Sequence, residues 1–589
     1  MRSELNMHSS KVNKIYTSII FIIGIAVLIP LVFVIASERE SFINFILQHL
    51  KRPYLSNILE QKIITERKFL LLKQISYVFV FIDTVLIFLF YFYRRKVTRF
   101  LDFIFHSIYA AFRSVILVFK TSSKKENIIF GSLLAIIIWR GLYYIIITDL
   151  QYDEMWCYNY YTSRPFYLTA FSYANYPLYE LVTHFTKWLP FSAKINLRLP
   201  VLFAGIFYCV IIYACTKKIT NNFLTALACM LLFAAMPFAT QYMLYGKGTA
   251  IQFFFAITSF FCVVFFLKDV QHKKYLVLFV IANVCGLYAM PTHIYFLLLQ
   301  LIFTCIYISA YKKKFRKGFL TGNMLVLAIG FFCYLPMIVG SGVPFVITSA
   351  WDHNDFPDPY SSAGALIKLI NLYFTGNNYG LLIALLIATV VLLINKKYKK
   401  EYFVLLTFAF SLLILPVAIW FVQHIHIPER AVGFVGLIIP ISSFFIFFLL
   451  KDLVNYYLRA GVLLFLFVSF CVVSHFHPFR FWSAKIDKNT IDVSNLLMQH
   501  HVATCYDNAP SSKFFYYYPA LEFYYTQAKM NIDISMAAKN SLRYKPFSVT
   551  DNYDCIIDSV SENDSTLKNY EIIYTDADAG FRVLMKKGK

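Results

Sequence analysis

Asp153 and Glu154 stand side by side just after the apolar run 128–147, in a chain that otherwise keeps almost all its carboxylates out of such runs. A carboxylate at the mouth of a membrane span can take the proton of a hydroxyl as that hydroxyl attacks an electrophile. Asp153 leads the pair and is the expected base; Glu154 is expected to orient the attacking group or to assist. Arg164, Lys247 and Arg430 fall in segments read below as facing the same side, where cations can hold a departing phosphate. Gly246 and Gly248 flank Lys247 and let a ligand approach the backbone, while an arginine offers a planar fork for phosphate oxygens. The bland readings are a solvated acidic loop for the pair and headgroup snorkelling for each cation.

Arg140 lies inside the same apolar run, where an uncompensated charge costs at least ~2.5 kcal/mol on insertion scales. It is therefore expected to face the protein interior, against Asp149 or Asp153, as a structural ion pair or as part of the site. His293 follows Pro291-Thr292, and His424 and His426 flank Ile425. A metal site can be drawn from these histidines, but an i,i+2 pair in a loop is a weak pattern, so no metal is assigned and a divalent ion stays an option. Tyr158, Tyr160 and Tyr161, next to the carboxylates, suit stacking on sugar faces.

The elements that must position these groups follow from composition. Of 589 residues, 59% are hydrophobic and 15% charged, with a mean hydropathy of +0.60, which marks an integral membrane protein. Apolar stretches of about 17–25 residues predict roughly thirteen helical spans. They run over 15–36, 70–93, 128–148, 199–215, 223–240, 249–267, 275–289, 294–311, 319–339, 379–394, 402–422, 431–450 and 461–474. The net charge of +23 sits mainly in short loops between them, a record of topology and not of a nucleic-acid partner.

With the N-terminus cytoplasmic, every strong basic cluster falls on one side, from Arg94-Arg95-Lys96 to Lys399-Lys400. The opposite side receives the loop 153–198, the Tyr245-Gly246-Lys247 turn, the loop 340–378, the turn 424–430 and the polar tail. Residues 101–120, apolar but carrying Asp102, His106 and Arg113, read as a cytoplasmic amphipathic helix lying on the membrane. The tail, 476–589, reads as a small extracytoplasmic α/β domain with strands near 502–506, 555–560 and 571–574 and a terminal hairpin over 570–586. Cys505 and Cys555 lie in it, with no spacing rule to pair them. The expected domains are thus a two-span extension with its amphipathic helix (1–126), a transmembrane catalytic domain (127–475) and the tail domain (476–589).

Several short segments, in order, carry a family resemblance: Asp153-Glu154, Asn175-Tyr176-Pro177-Leu178-Tyr179-Glu180, Leu197-Arg198-Leu199-Pro200, Gly286-Leu287-Tyr288-Ala289 with Thr292-His293, and Pro428-Glu429-Arg430. Together they resemble the GT-C superfamily of polytopic glycosyltransferases, in the branch of protein O-mannosyltransferases and lipid A aminoarabinose transferases. The resemblance covers roughly 128–474. It implies an inverting sugar transfer from a polyprenyl-phosphate donor at the extracytoplasmic face, with Asp153 as base and with Tyr176, Glu180 and His293 among the substrate-binding positions. Where many such chains carry an acidic residue and an arginine, this one has Tyr245 and Lys247.

The acceptor is expected to be an envelope glycan, a lipid or a protein, and the address the inner membrane of an AT-rich bacterium. The rival readings are a transporter or lipid flippase, which should show inverted repeats that are not evident here, and a scaffold indifferent to Asp153.

Overall fold

The computed structural model describes residues 24–50, 64–164, 176–268, 272–311, 315–341, 429–476, 484–508, 518–536, 552–559, 567–576 and 581–588, with a few isolated positions besides. The expected span 379–394, most of the expected span 402–422, most of the loop 340–378, the basic clusters at 312–314 and 396–400, and His424 and His426 lie outside the described residues. The chain divides into two compact units, 1–110 with 538–545, and 111–537 with 546–589.

The first unit contains α1 (Gly24–Ala36), α2 (Arg39–Leu50) and most of α3 (Glu66–Thr121). Arg39 closes the α2–α3 connection by donating to the Ile64 carbonyl at 2.7 Å, over a small apolar cluster of Ile43, Ile64 and Phe69. The sequence reading divided α3 into a span, a basic loop and an amphipathic helix. The structure instead runs one helix of 56 residues through all three, about 84 Å at 1.5 Å per residue. Residues 94–101 contain no Gly or Pro, and Arg and Lys are good helix formers, so nothing local stops the helix there.

The second unit begins at α4 (Lys124–Ile147), whose Ser123 and Glu126 form a reciprocal capping box. There follow α5 (Tyr152–Cys157), a π-helical turn over Tyr158–Thr162, α6 (Pro177–Thr186), α7 (Ala193–Thr220), α8 (Phe223–Ala235), α9 (Pro237–Tyr242), α10 (Thr249–Lys268), α11 (His272–Ala289), α12 (His293–Tyr311) and α13 (Arg316–Ser341). A 3-10 segment, Glu429–Leu437, leads into α14 (Ile438–Leu453) and α15 (Tyr456–Phe476). Among the described residues, five helices are long and apolar enough to cross a membrane: Glu66–Thr121, Lys124–Ile147, Ala193–Thr220, Thr249–Lys268 and Arg316–Ile338. The chain is an α-helical polytopic membrane protein.

At the centre of the main apolar cluster is α8, which is buried on every side from Leu224 to Ala235 and packs against α7 and α14. An all-apolar helix has no polar face to turn outward, so it takes the middle of the bundle. It ends where Met236 turns extended (ψ 143°) before Pro237. A residue preceding proline is pushed out of the α region, and proline has no N–H to donate. The expected span 223–240 is therefore two helices, and the chain from Met236 to Ala250 is buried throughout. The Tyr245-Gly246-Lys247 segment, expected as an outward turn, is enclosed by protein.

The tail forms a five-stranded sheet of order β2-β1-β3-β5-β4, with β1 (Thr504–Asp507), β2 (Asp533–Met536), β3 (Cys555–Ser559), β4 (Tyr570–Asp576) and β5 (Phe581–Lys586). The first three strands run parallel, and the expected terminal hairpin is the antiparallel β4–β5 pair. Helices α16 (Ala484–Gln499) and α17 (Tyr518–Gln527) pack on each other beside the sheet. Cys505 and Cys555 are register partners on β1 and β3, their thiols 3.8 Å apart and unbridged.

Candidate active site

The site is assembled where α4 ends. Thr148, Asp149 and Leu150 leave the helix with carbonyls that lack intrahelical partners. Arg198, near the start of α7, reaches back to them: its guanidinium donates to the Thr148 carbonyl at 2.8 Å, the Thr148 hydroxyl at 2.9 Å and the Asp149 carbonyl at 2.6 Å. The same guanidinium grips Glu154 with both arms, Nε to Oε1 at 2.8 Å and a terminal nitrogen to Oε2 at 2.6 Å. Glu154 also accepts from the Gln151 N–H at 2.9 Å, closing the N-terminus of α5, and from the Gly246 N–H at 2.7 Å.

Glu154 is fully buried with this set of partners. Its oxygens are committed to protein donors, an arrangement that suits holding the site together more than taking a proton. It is a bolt joining α4, α5, α7 and the buried 236–250 segment, and its neighbour Asp153 is what the bolt positions.

Asp153 sits at the second position of α5, with a quarter of its side chain exposed. Its Oδ2 accepts from the Tyr245 hydroxyl at 3.1 Å and is in direct ion-pair contact with Lys247 Nζ. Lys247 is only 2% exposed. Its ammonium lies 4.7 Å from the centroid of the Tyr245 ring and 5.8 Å from that of Tyr176, an arrangement that suits a cation without displacing it from its carboxylate.

The flanking glycines are required by crowding. A Cβ on Gly246 would stand 2.6 Å from the Tyr179 hydroxyl and 2.8 Å from Glu154 Oε1. One on Gly248 would stand 2.5 Å from the Ala289 carbonyl oxygen.

Tyr176 precedes α6, and Pro177 takes the first helical position, where its missing N–H costs nothing. One turn on, Glu180 is wholly buried, and among the described residues no N–H or O–H donor reaches its carboxyl; its one neighbour able to donate is the Cys157 thiol. Burial holds its carboxyl well above the usual glutamate range. The Cys157 thiol beside it is likewise pushed up, by burial first and then by the negative charge of Glu180.

The remaining expected site residues are placed elsewhere. Arg164 donates through Nε to the Asn159 carbonyl at 2.9 Å and lies 3.8 Å from Glu522 on α17, so it binds the tail. Arg140 forms no ion pair with Asp149 or Asp153 among the described residues. Asp149 faces Lys194 at 3.9 Å, while Arg140 lies 5.7 Å from the Tyr144 ring with one guanidinium nitrogen buried and unpartnered. His293 is buried in a polar network on α10–α12, its Nε2 3.0 Å from Asn283 Oδ1, with Asn283 donating to Ser259 at 2.6 Å and Ser259 to Gln300 at 2.8 Å. Arg430 falls in the 3-10 segment, its side chain outside the described residues. Among the described residues no three His, Cys, Asp or Glu side chains gather as a metal-holding group.

Sequence reasoning quoted Arg198 without giving it a role, and it missed the tail altogether as part of the site. Asn159 on the π-helical turn donates to the Pro519 carbonyl at 2.8 Å, Tyr158 accepts from Gln527 at 3.1 Å, and the rings of Tyr158 and Phe523 meet edge to face at 5.1 Å. Helix α17 is thus seated directly on the segment that follows Asp153.

No family model matches the chain, and no curated protein does. Among solved structures it is similar to ArnT from Cupriavidus metallidurans in the apo state, at 11% identity and a TM-score of 0.43, over 78% of this chain and 97% of that one. The same protein bound to undecaprenyl phosphate aligns at 11% identity and a TM-score of 0.39, over 79% and 98% of the two chains. The archaeal oligosaccharyltransferase AglB from Archaeoglobus fulgidus, in complex with an inhibitory peptide and a dolichol-phosphate, aligns at 11% identity and a TM-score of 0.41, over 73% of this chain and 62% of that one. At such identities and scores these are likenesses of the chain, and they carry no activity over to it.

Proposed function

We propose that this chain is a membrane glycosyltransferase that moves a sugar from a polyprenyl-phosphate carrier to a hydroxyl of an extracytoplasmic acceptor by inverting single displacement. One observation carries the reading: a part-exposed aspartate fixed by a fully hydrogen-bonded buried glutamate, in contact with a buried lysine. Asp153 takes the proton of the acceptor hydroxyl as its oxygen attacks the anomeric carbon. The bond from that carbon to the phosphate oxygen breaks with its electron pair, and the departing polyprenyl phosphate gains negative charge beside the Lys247 ammonium. The ordered segments that resemble GT-C glycosyltransferases, Asp153-Glu154 and Leu197-Arg198-Leu199-Pro200 above all, support the same chemistry. The geometry adds that two of those segments meet as one ion pair, Glu154 with Arg198.

The proposal places this site and the tail outside the cytoplasm and the chain in the inner membrane, with a glycan, lipid or protein as acceptor. Profiling of lipid-linked and envelope glycans in a strain lacking the chain tests it. One sugar missing from a product, with its polyprenyl-phosphate form accumulating, is the expected result; an unchanged profile overturns the reading.

A further inference from the structure

Glu180 poses a problem that the transfer chemistry above leaves open. It is the fourth residue of α6, flanked by Tyr179 and Leu181, and none of its side chain reaches solvent. A buried carboxyl normally has partners, because leaving such a group unpaired forfeits the hydrogen bonds it had in water. Glu180 has no N–H or O–H partner on either oxygen among the described residues, only the weak Cys157 thiol donor beside it.

Its surroundings are those of the site. The Cys157 thiol on α5 lies within range of Lys247 and Asp153 and within hydrogen-bond reach of Glu180, so the four groups share one neighbourhood. Tyr179 on the same helix is within range of Glu180, Glu154 and Arg198, and donates its hydroxyl to the Leu197 carbonyl at 2.9 Å. Tyr288, half-buried at the end of α11, also lies within range of Glu180.

We infer that the Glu180 carboxyl binds a sugar hydroxyl beside the Asp153–Lys247 pair and so helps to select and orient the glycosyl group. Resting on the proposed glycosyl transfer, this adds a specificity contact to it. The chemistry of the carboxyl itself favours a hydroxyl over a phosphate. An uncharged carboxyl offers one O–H donor and one carbonyl acceptor, which match a hydroxyl's own donor and lone pairs. A phosphate calls for a cation, which Lys247 already supplies. Burial without a cationic partner holds the Glu180 carboxyl well above the usual glutamate range, a shift that favours the acid over the carboxylate. A site built to pair with a substrate hydroxyl rejects analogues lacking it far more strongly than an apolar wall can.

Difference infrared spectroscopy on the full-length chain in nanodiscs reads the contact directly. The acid C=O stretch, assigned by its loss in Glu180→Gln, should shift when polyprenyl-phosphate-linked hexose is added alone if the donor supplies the hydroxyl. It should shift only on subsequent addition of the envelope glycan fraction if the acceptor supplies it. An unmoved band in both arms, or no acid band at all, overturns the inference.

Kinetics give the second arm. Glu180→Met should raise KM for the hydroxyl-bearing substrate by about tenfold, the worth of one hydrogen bond, whereas Glu180→Gln, which keeps a donor and an acceptor, should raise it less than threefold. A Met variant with the KM of the unaltered chain would mean that the carboxyl meets only water or nothing. A Gln variant as inactive as Asp153→Asn would mean that its charge is used. Either result rejects the assignment. Failure of the unaltered chain to release lipid phosphate from any donor would strike the proposed function, while the infrared arm still decides what Glu180 binds.

Discussion

At the scale of single residues, the site separates two carboxylates that are adjacent in sequence and opposite in circumstance. Glu154 has every oxygen engaged, and Asp153 keeps a quarter of its surface open. Removing Arg198 from the buried pair should be severe: Arg198→Met leaves Glu154 charged and unpaired, at a cost of about 3–5 kcal/mol. Denaturation in detergent should show the loss, and adding Glu154→Gln should restore part of it. Lys247→Met keeps the volume and removes the charge, so it should weaken binding of polyprenyl phosphate by about tenfold or more, measured by titration, with the fold retained.

Glu180 makes a pH prediction of definite sign. Its folded-state pKa is raised, so between the ordinary glutamate value and the raised one the unfolded chain has lost a proton that the folded chain retains. Stability must fall as pH rises through that window. Glu180→Gln should flatten the dependence and raise the Tm at neutral pH; an unaltered pH profile would contradict the neutral state.

At the scale of elements, what the sequence displayed and what it hid follow from contact range. Asp153-Glu154 was visible because it directly follows a long apolar run, and Lys247 because two glycines flank it. The Glu154–Arg198 pair was not visible, because it joins residues 44 positions apart through side-chain geometry that no local pattern encodes. The helix break at Met236-Pro237 has a local sign in the proline, but the hydropathy of 223–240 runs through it, and the burial of 236–250 has no local sign. The seat of α17 on the π-helical turn joins Asn159 to Pro519, 360 positions apart, and had no sign at all.

Two changes test these elements. Gly246→Ala must push a methyl into the Tyr179 hydroxyl and Glu154, overpacking worth about 1–3 kcal/mol, and should lower transfer together with stability. Phe523→Ala removes a buried ring against Tyr158, a change that costs about 3–5 kcal/mol in a well-packed core. If α17 steadies the segment after Asp153, kcat should drop with KM for the donor little altered; equal losses in both would point to a role in binding.

At the scale of the whole molecule, the apolar composition announced a helical membrane protein, and the polar tail announced a small α/β unit with its terminal hairpin. The continuous helix α3 was hidden because a basic cluster reads as a loop whenever charge is taken as topology, although Arg94, Arg95 and Lys96 are equally at home in a helix. The proposed orientation puts Ser163 and Lys587 on one side of the membrane and Lys125 on the other; all three are exposed. Single cysteines at these positions, probed with an impermeant maleimide in intact cells, should label at 163 and 587 and not at 125. The chain's own cysteines are buried or half-buried and should contribute little.

The most direct test of the account is sugar transfer by the purified full-length chain against its Asp153→Asn variant, followed as release of the polyprenyl phosphate. Asparagine keeps the shape and the Tyr245 hydrogen bond but cannot take a proton. The account predicts at least a hundredfold fall in kcat, the usual worth of a positioned base, with an unchanged elution profile and a lowered Tm, since the nearly buried Lys247 ammonium loses its carboxylate. Turnover by the asparagine variant at the rate of the unaltered chain would contradict it.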